Sequence, residues 1–180
     1  MLENFKTISK EKILVQSYGY ENGIDGYTDN ELICDTELLD KLVRVNNKLR
    51  PMGMELVVLD AYRPAMAQYS LYDESVESSS SPIKPKSKHN TGFCVDLTIN
   101  NNSNVEYNEG IWDRNSMGSS YTMSGKGKYR PKNVHCSFLR GIMMSEGLVP
   151  KDDEWWHFQL KGNYFPQDDN DFLANGKIAG

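Results

Sequence analysis

The run Glu55-Leu-Val-Val-Leu-Asp60 constrains the fold more than any other stretch of the chain. It is short, apolar and rich in branched residues, which reads as a buried strand. Pro51 and Gly53 bound it on one side and Pro64 on the other. Upstream, Leu38, Leu39, Leu42, Val45 and Leu49 recur at helical spacing. A helix is therefore expected from about Thr36 to Arg50, with Asp35 or Thr36 as its N-cap and Pro51 and Gly53 as its stop. Downstream, Pro64 suits the first turn of a second helix running through Met66, Ala67, Leu71 and Tyr72.

The rest of the chain continues this mixed order. Phe93 to Ile99 reads as a strand with Asp96 embedded in it, followed by a polar turn over Asn100 to Asn104. Phe138, Leu139, Ile142 and Met143 mark one face of a helix from about Asn133 to Glu146, ended by Gly147. Trp155 to Leu160 forms a last short strand. Ser75 to Lys88 and Gly118 to Lys132 are loops by their serine, proline, glycine and lysine content. Short strands and helices in mixed order favour an α+β fold over a doubly wound sheet. A length of 180 residues suits a single compact domain. Its core is expected over about 36–160, with a peripheral tail at 162–180.

Charge and cysteine usage narrow the function. A net charge of −5 argues against nucleic acid as a partner, because phosphate binding needs a concentrated basic surface. The one basic cluster, Lys126, Lys128, Arg130 and Lys132, is interleaved with Gly125, Gly127 and Pro131 and reads as a solvated loop. Cys34, Cys94 and Cys136 are odd in number and far apart, which fits a reducing compartment; all three are expected to pack as small hydrophobes. Met1 to Gln16 lacks the pattern of a signal peptide, and no segment is apolar enough for a membrane span. A cytoplasmic location is the expectation.

Two of the three histidines sit beside carboxylates. Ser87-Lys-His89-Asn-Thr-Gly92-Phe-Cys-Val-Asp96 sets an imidazole seven residues before an aspartate. A chain that turns at Gly92 and enters a strand can return Asp96 beside His89. Glu154-Trp-Trp-His157 supplies a second imidazole with a glutamate three residues earlier. A catalytic zinc takes three ligands from His and Asp or Glu and keeps one position for water. His89, Asp96 and His157 would be those ligands, with one zinc per chain, and Glu154 the general base for a metal-activated water. A separation of three does not place Glu154 and His157 on one face of a regular strand, so a bend is required there. Arg63, in Asp60-Ala-Tyr-Arg63-Pro64, stands where it could stabilise an oxyanion, with Asp60 as the partner that orients it. His135 has no acidic neighbour at ligand spacing and reads as structural.

Taken in order, D-x-Y-R-P, S-x-H with an aspartate seven after the histidine, and E-W-W-H resemble the zinc D-alanyl-D-alanine dipeptidases of the vancomycin-resistance type. These belong to the wider D,D-peptidase superfamily. The likeness spans about Leu38 to Leu160. It implies a small α+β domain whose antiparallel sheet carries the zinc site between flanking helices. It also implies His89, Asp96 and His157 as zinc ligands, Glu154 as base, Arg63 as transition-state arginine and Ser87 as a substrate-pocket serine. The implied partner is a small D-amino-acid peptide, D-Ala-D-Ala. Trp155 favours the dipeptidase subclass, since related carboxypeptidases commonly carry proline there.

One position departs from the pattern. The dipeptidases usually place an aspartate before a Met-Gly pair to hold the substrate's ammonium group, whereas Ser116 precedes Met117-Gly118 here and Asp113 lies three residues earlier. A D,D-carboxypeptidase or endopeptidase acting on longer peptidoglycan stems is therefore a second expectation. A non-catalytic zinc module is a third, opposed by the presence of Glu154 and Arg63.

Overall fold

The structure is a computed structural model that describes residues 5–8, 13–15, 32–70, 87–101, 134–152 and 154–162. Residues 71–72 of the second expected helix, both expected loops apart from Ser87 and Lys88, Asp113, Ser116, and the tail beyond 162 lie outside this range.

Helix α1 runs Thr36–Leu49, close to its expected span. Asp35 caps it, its carboxylate accepting a hydrogen bond from the Glu37 backbone N–H at 2.8 Å. Leu38, Leu42, Val45 and Leu49 are fully buried, and Leu39 packs partly buried against the same core. Asn46 is buried as well, and its Oδ1 accepts from the Leu56 backbone N–H at 2.7 Å, tying the helix to the next strand. A 3-10 turn over Arg50–Met52 ends the helix at Gly53, whose φ of 70° is the left-handed conformation that glycine adopts freely.

Strand β4 (Met54–Asp60) follows. It pairs antiparallel with β5 (Cys94–Asn101), and β5 pairs antiparallel with β7 (His157–Gln159). β6 (Val149–Pro150) joins β7 antiparallel, and β2 (Leu14–Val15) joins β4 in parallel. The five-stranded order is β2-β4-β5-β7-β6, with β1 (Phe5–Thr7) and β3 (Ile33–Asp35) forming a separate antiparallel pair. The fold is α+β, a small, mainly antiparallel sheet flanked by helices. A second helix, α2, occupies 65–70, and a third, α3, runs Val134–Ser145. Among the described residues no helix is long and apolar enough to cross a membrane.

Alternation sorts the two faces of the sheet. Leu56 lies opposite Ile99 and Val58 opposite Leu97, and all four belong to the hydrophobic core. That core also takes in α1, Leu139 and Met143 of α3, and Phe158. Cys94, Asp96 and Thr98 alternate with these residues and so project from the other face.

Two boundaries differ from expectation. Asn100 and Asn101 continue β5, paired with Glu55 and Met54, where a polar turn was expected. The backbone of β4 has partners to offer up to Met54, and those hydrogen bonds outweigh the weak strand propensity of asparagine. Trp155 and Trp156 form a turn before β7 and are not part of the strand. Both are 5% exposed, meet edge to face at 5.4 Å and pack into the core.

Candidate active site

The corner between Ser87 and Gly92 presents His89. A short 3-10 helix spans Lys88–Thr91, where a loop was expected to end. Ser87 Oγ accepts from the His89 backbone N–H at 3.2 Å, and the Asn90 side chain accepts from the Ser87 N–H at 2.8 Å, a reciprocal capping box. Gly92, at φ 73°, ends the turn and directs the chain into β5, bringing Asp96 back beside His89. The Arg63 N–H donates to the His89 carbonyl at 3.0 Å, and Asn90 Nδ2 donates to the Arg63 carbonyl at 2.7 Å. The segment after β4 is thereby laced to the segment before β5.

A register shift between Val58 and Asp60 sets the acidic groups. Val58 lies opposite Leu97, but the next pair is Asp60 with Asp96, so one extra residue is accommodated on β4. This bulge turns Asp60 toward the Asp96 side. Asp60 is 1% exposed, and its Oδ1 accepts from the Ala61 N–H at 2.9 Å. Its Oδ2 takes Arg63 Nε at 2.9 Å and a second guanidinium N–H, while Arg63 Nη1 donates to Gln68 Oε1 of α2 at 2.8 Å. Asp60 is thus the partner that orients Arg63, as the sequence suggested.

His89, Asp96 and His157 meet in a buried cluster. His89 Nδ1 donates to the Ala61 carbonyl at 2.8 Å, which leaves Nε2 directed at Asp96 Oδ1, 3.1 Å away. His157 Nδ1 lies 2.9 Å from the same oxygen, and the two imidazoles meet edge to face with centroids 5.0 Å apart. Glu154 Oε2 is 3.6 Å from His157 Nδ1. The required bend is the Trp155-Trp156 turn, closed by a hydrogen bond from the His157 N–H to the Glu154 carbonyl at 3.4 Å. Glu154 is more open than the others, and its Oε1 contacts Lys151 Nζ.

The electrostatics follow from burial and proximity. Burial pushes the Asp96 carboxyl up, but the charge of His89 and hydrogen bonds from both imidazoles outweigh it and hold Asp96 below the usual carboxylate range. Burial likewise opposes charge on the two imidazoles. Asp96 reverses this: its charge raises His89 well above the ordinary histidine value, and its hydrogen bond raises His157 to about 9. The pocket therefore favours positive charge beside Asp96.

Three overlapping sets of donors lie within 4.8 Å of one another: His89, Cys94 and His157; Asp60, His89 and Asp96; and Asp96, Glu154 and His157. Two nitrogen donors sharing one carboxylate oxygen, one of them oriented by a backbone carbonyl, suit a divalent metal. The other nitrogen of the His157 ring, Nε2, is buried and has no hydrogen-bond partner among the described residues. The residues present fit such an ion.

All six residues singled out from the sequence are described. His89, Asp96, His157 and Glu154 come together directly, and Arg63 reaches the cluster through Asp60. Ser87 joins through its cap on the His89 turn. Two contacts were missed. Lys151 meets Glu154, three residues further on, across the β6–β7 connection; opposite charges at that short spacing were the available signal. Cys94 was expected to pack as a hydrophobe, and the structure corrects this: Cys34 and Cys136 belong to the hydrophobic core, but Cys94 is in the imidazole cluster. Burial raises its thiol, yet the charge of His89 and hydrogen bonds with both imidazoles bring it below the ordinary cysteine value. Its position two residues before Asp96 in a strand was the available signal.

Several known proteins are similar to this chain. The D-alanyl-D-alanine dipeptidase of Enterococcus faecium is 25% identical over 175 residues, covering 83% of this chain and 83% of its own. The enzyme of the same name from Escherichia coli (strain K12) is 28% identical over 111 residues, covering 60% and 56%. A solved LD-carboxypeptidase superposes on 80% of this chain and 64% of its own with a TM-score of 0.48 and 17% identity. The peptidase family described as D-ala-D-ala dipeptidase matches residues 15–175, which include every residue of the cluster. The chain belongs to that D-ala-D-ala dipeptidase family of peptidases.

Proposed function

We propose that this chain hydrolyses the peptide bond of D-alanyl-D-alanine, using one zinc ion held by His89, Asp96 and His157. The observation that carries the reading is the convergence of His89 Nε2 and His157 Nδ1 on Asp96 Oδ1, with Glu154 beside them. When bound, the ion would polarise the scissile carbonyl and acidify a water molecule. Glu154 takes the proton from the attacking water at its carboxylate and returns it to the departing amine. Arg63, held in place by Asp60 and Gln68, offers its positive charge to the oxyanion that develops. Ser87 orders the turn that presents His89 and stands at the edge of the substrate site.

The test is hydrolysis of free D-Ala-D-Ala against an N-acylated peptide ending in D-Ala-D-Ala, by zinc-loaded and chelator-treated protein. Cleavage of the free dipeptide, lost on chelation and restored by zinc, is expected. A second reading is a carboxypeptidase or endopeptidase acting on longer stems, favoured by Ser116 standing where the dipeptidases carry an acid. Cleavage of the acylated peptide in preference to the free one would select that reading. Activity on neither would remove both.

A further inference from the structure

Arg63 carries the positive charge of the proposed reaction, yet it belongs to no strand or helix. β4 ends at Asp60 and α2 begins after Pro64, so no regular ladder of main-chain hydrogen bonds fixes its place. Its backbone is tied instead to the turn that presents His89. The Arg63 N–H donates to the His89 carbonyl at 3.0 Å, and the Arg63 carbonyl accepts from Asn90 Nδ2 at 2.7 Å. A third link joins the same two segments, from His89 Nδ1 to the Ala61 carbonyl at 2.8 Å. Two of these three links end on His89 itself. The other is made by Asn90, which is neither a proposed ligand nor the arginine. Asn90 is 6% exposed, and both ends of its amide are used: Oδ1 accepts from the Ser87 N–H at 2.8 Å while Nδ2 holds Arg63. The capping box of the turn needs only an acceptor at this position, which an aspartate would also supply. The donor end of the amide is not needed by the turn, and it reaches across to the arginine.

We propose that Asn90 is a positioning residue for Arg63, its amide holding the main chain of the arginine in register with the His89 turn. This rests on the reading of Arg63 as the residue that meets the oxyanion. Asp60 and Gln68 orient the guanidinium at the tip of the side chain, and Asn90 fixes the main chain from which that side chain springs. The developing charge meets a preset partner only if the arginine and the histidine cluster keep one geometry. A misplacement of about 1 Å can cost roughly 10²-fold in rate.

The test is a double-mutant cycle of Asn90→Asp with Arg63→Ala, on zinc-loaded protein and with the better cleaved of free D-Ala-D-Ala and its N-acylated counterpart. Asn90→Asp keeps the size of the side chain and the acceptor for Ser87, but sets an oxygen against the Arg63 carbonyl. It is expected to lower kcat by roughly 10²-fold and raise KM by less, with zinc content near wild type. In the Arg63→Ala background the same change should have almost no further effect on kcat, because the group it positions is gone. Asn90→Ala carries the same cycle should Asn90→Asp fail to fold. An unchanged kcat in the single variant, or an equal loss in both backgrounds, would overturn the proposal and leave the role of Arg63 standing. Loss of zinc along with activity would also overturn it, since Asn90 would then serve the metal-binding turn. Arg63→Ala with undiminished kcat would overturn both the proposal and the reading beneath it, as would wild-type protein that cleaves neither substrate.

Discussion

The two faces of β5 are buried alike and behave differently. Val95 and Leu97 are wholly buried and Ile99 nearly so, and all three contribute to the apolar core with α1 and α3. Cys94 and Asp96, offset from them by one residue, are just as inaccessible and sit among imidazoles and carboxylates. Burial alone therefore does not separate core from site in this molecule. What separates them is whether a side chain's neighbours can replace the water it has lost. Aliphatic groups need no replacement, whereas the Asp96 carboxylate is tolerable inside only because two ring nitrogens stand within 3.1 Å of one of its oxygens. The core face holds the sheet, and the opposite face uses that rigidity to fix a charged cluster.

Substitutions on the two faces should then fail in different currencies. The largest effect is expected at Glu154, where change to Ala should lower kcat by roughly 10²–10⁴ while bound zinc and the unfolding midpoint stay near wild type. Zinc lost along with activity would mean that Glu154 serves the metal and not the proton. On the core face, Leu97→Ala should cost about 2–5 kcal/mol in urea unfolding, with the remaining folded protein retaining its turnover per molecule. A selective collapse of turnover in folded Leu97→Ala would break the distinction between the faces.

A third substitution sharpens the comparison. With Arg63 in its proposed role at the oxyanion, Arg63→Ala should lower kcat by roughly 10²–10³ and raise KM by less. A rise in KM alone would make Arg63 a carboxylate-binding residue.

The smallest effect belongs to the outer side of the core, where α1 and α3 are clasped by charge. Glu146 meets Arg44 Nε at 2.7 Å and Lys48 Nζ at 2.6 Å, and Lys41 Nζ donates to its backbone carbonyl at 2.9 Å. Its carboxyl is lowered from the usual value, chiefly by the hydrogen bond from Arg44 and then by that from Lys48. A lowered carboxyl stabilises the fold above the ordinary glutamate range, and the contribution disappears as pH falls through the native value. Arg44 and Lys48 are about half exposed, so solvent screens the pair, and Glu146→Gln should cost only about 0.2–1 kcal/mol at pH 7. Urea unfolding at neutral and acidic pH should show that difference shrinking with acid. A difference that persists in acid would trace it to packing.

Much of the frame could be read along the chain because its signals are local. Helix α1 declared itself through apolar spacing and an Asp35 cap, and β4 through its branched apolar run between chain-breaking residues. Short strands such as β2, β3 and β6 could not be found this way, since two or three residues carry no period and exist only where a neighbouring strand supplies hydrogen bonds. The extension of β5 through Asn100 and Asn101 has the same origin: two asparagines read as a turn until β4 offers its backbone.

For the site, residue types and order announced the His89, Asp96 and His157 cluster, and the Gly92 turn was legible because its conformation favours glycine. The sequence alone determined which groups were available and that a bend had to separate Glu154 from His157. Only the tertiary structure decided how they meet. The bulge in β4 sets Asp60 opposite Asp96, the Ala61 carbonyl orients His89, and the strand pairing of β5 with β7 brings His157 to Asp96 across sixty-one positions of sequence. It alone showed Lys151 against Glu154 and Cys94 in the cluster. Lys151 and Glu154 are only three residues apart and meet across the turn between β6 and β7, but the other contacts are set by register between strands that are distant in sequence, and local spacing carries no record of register.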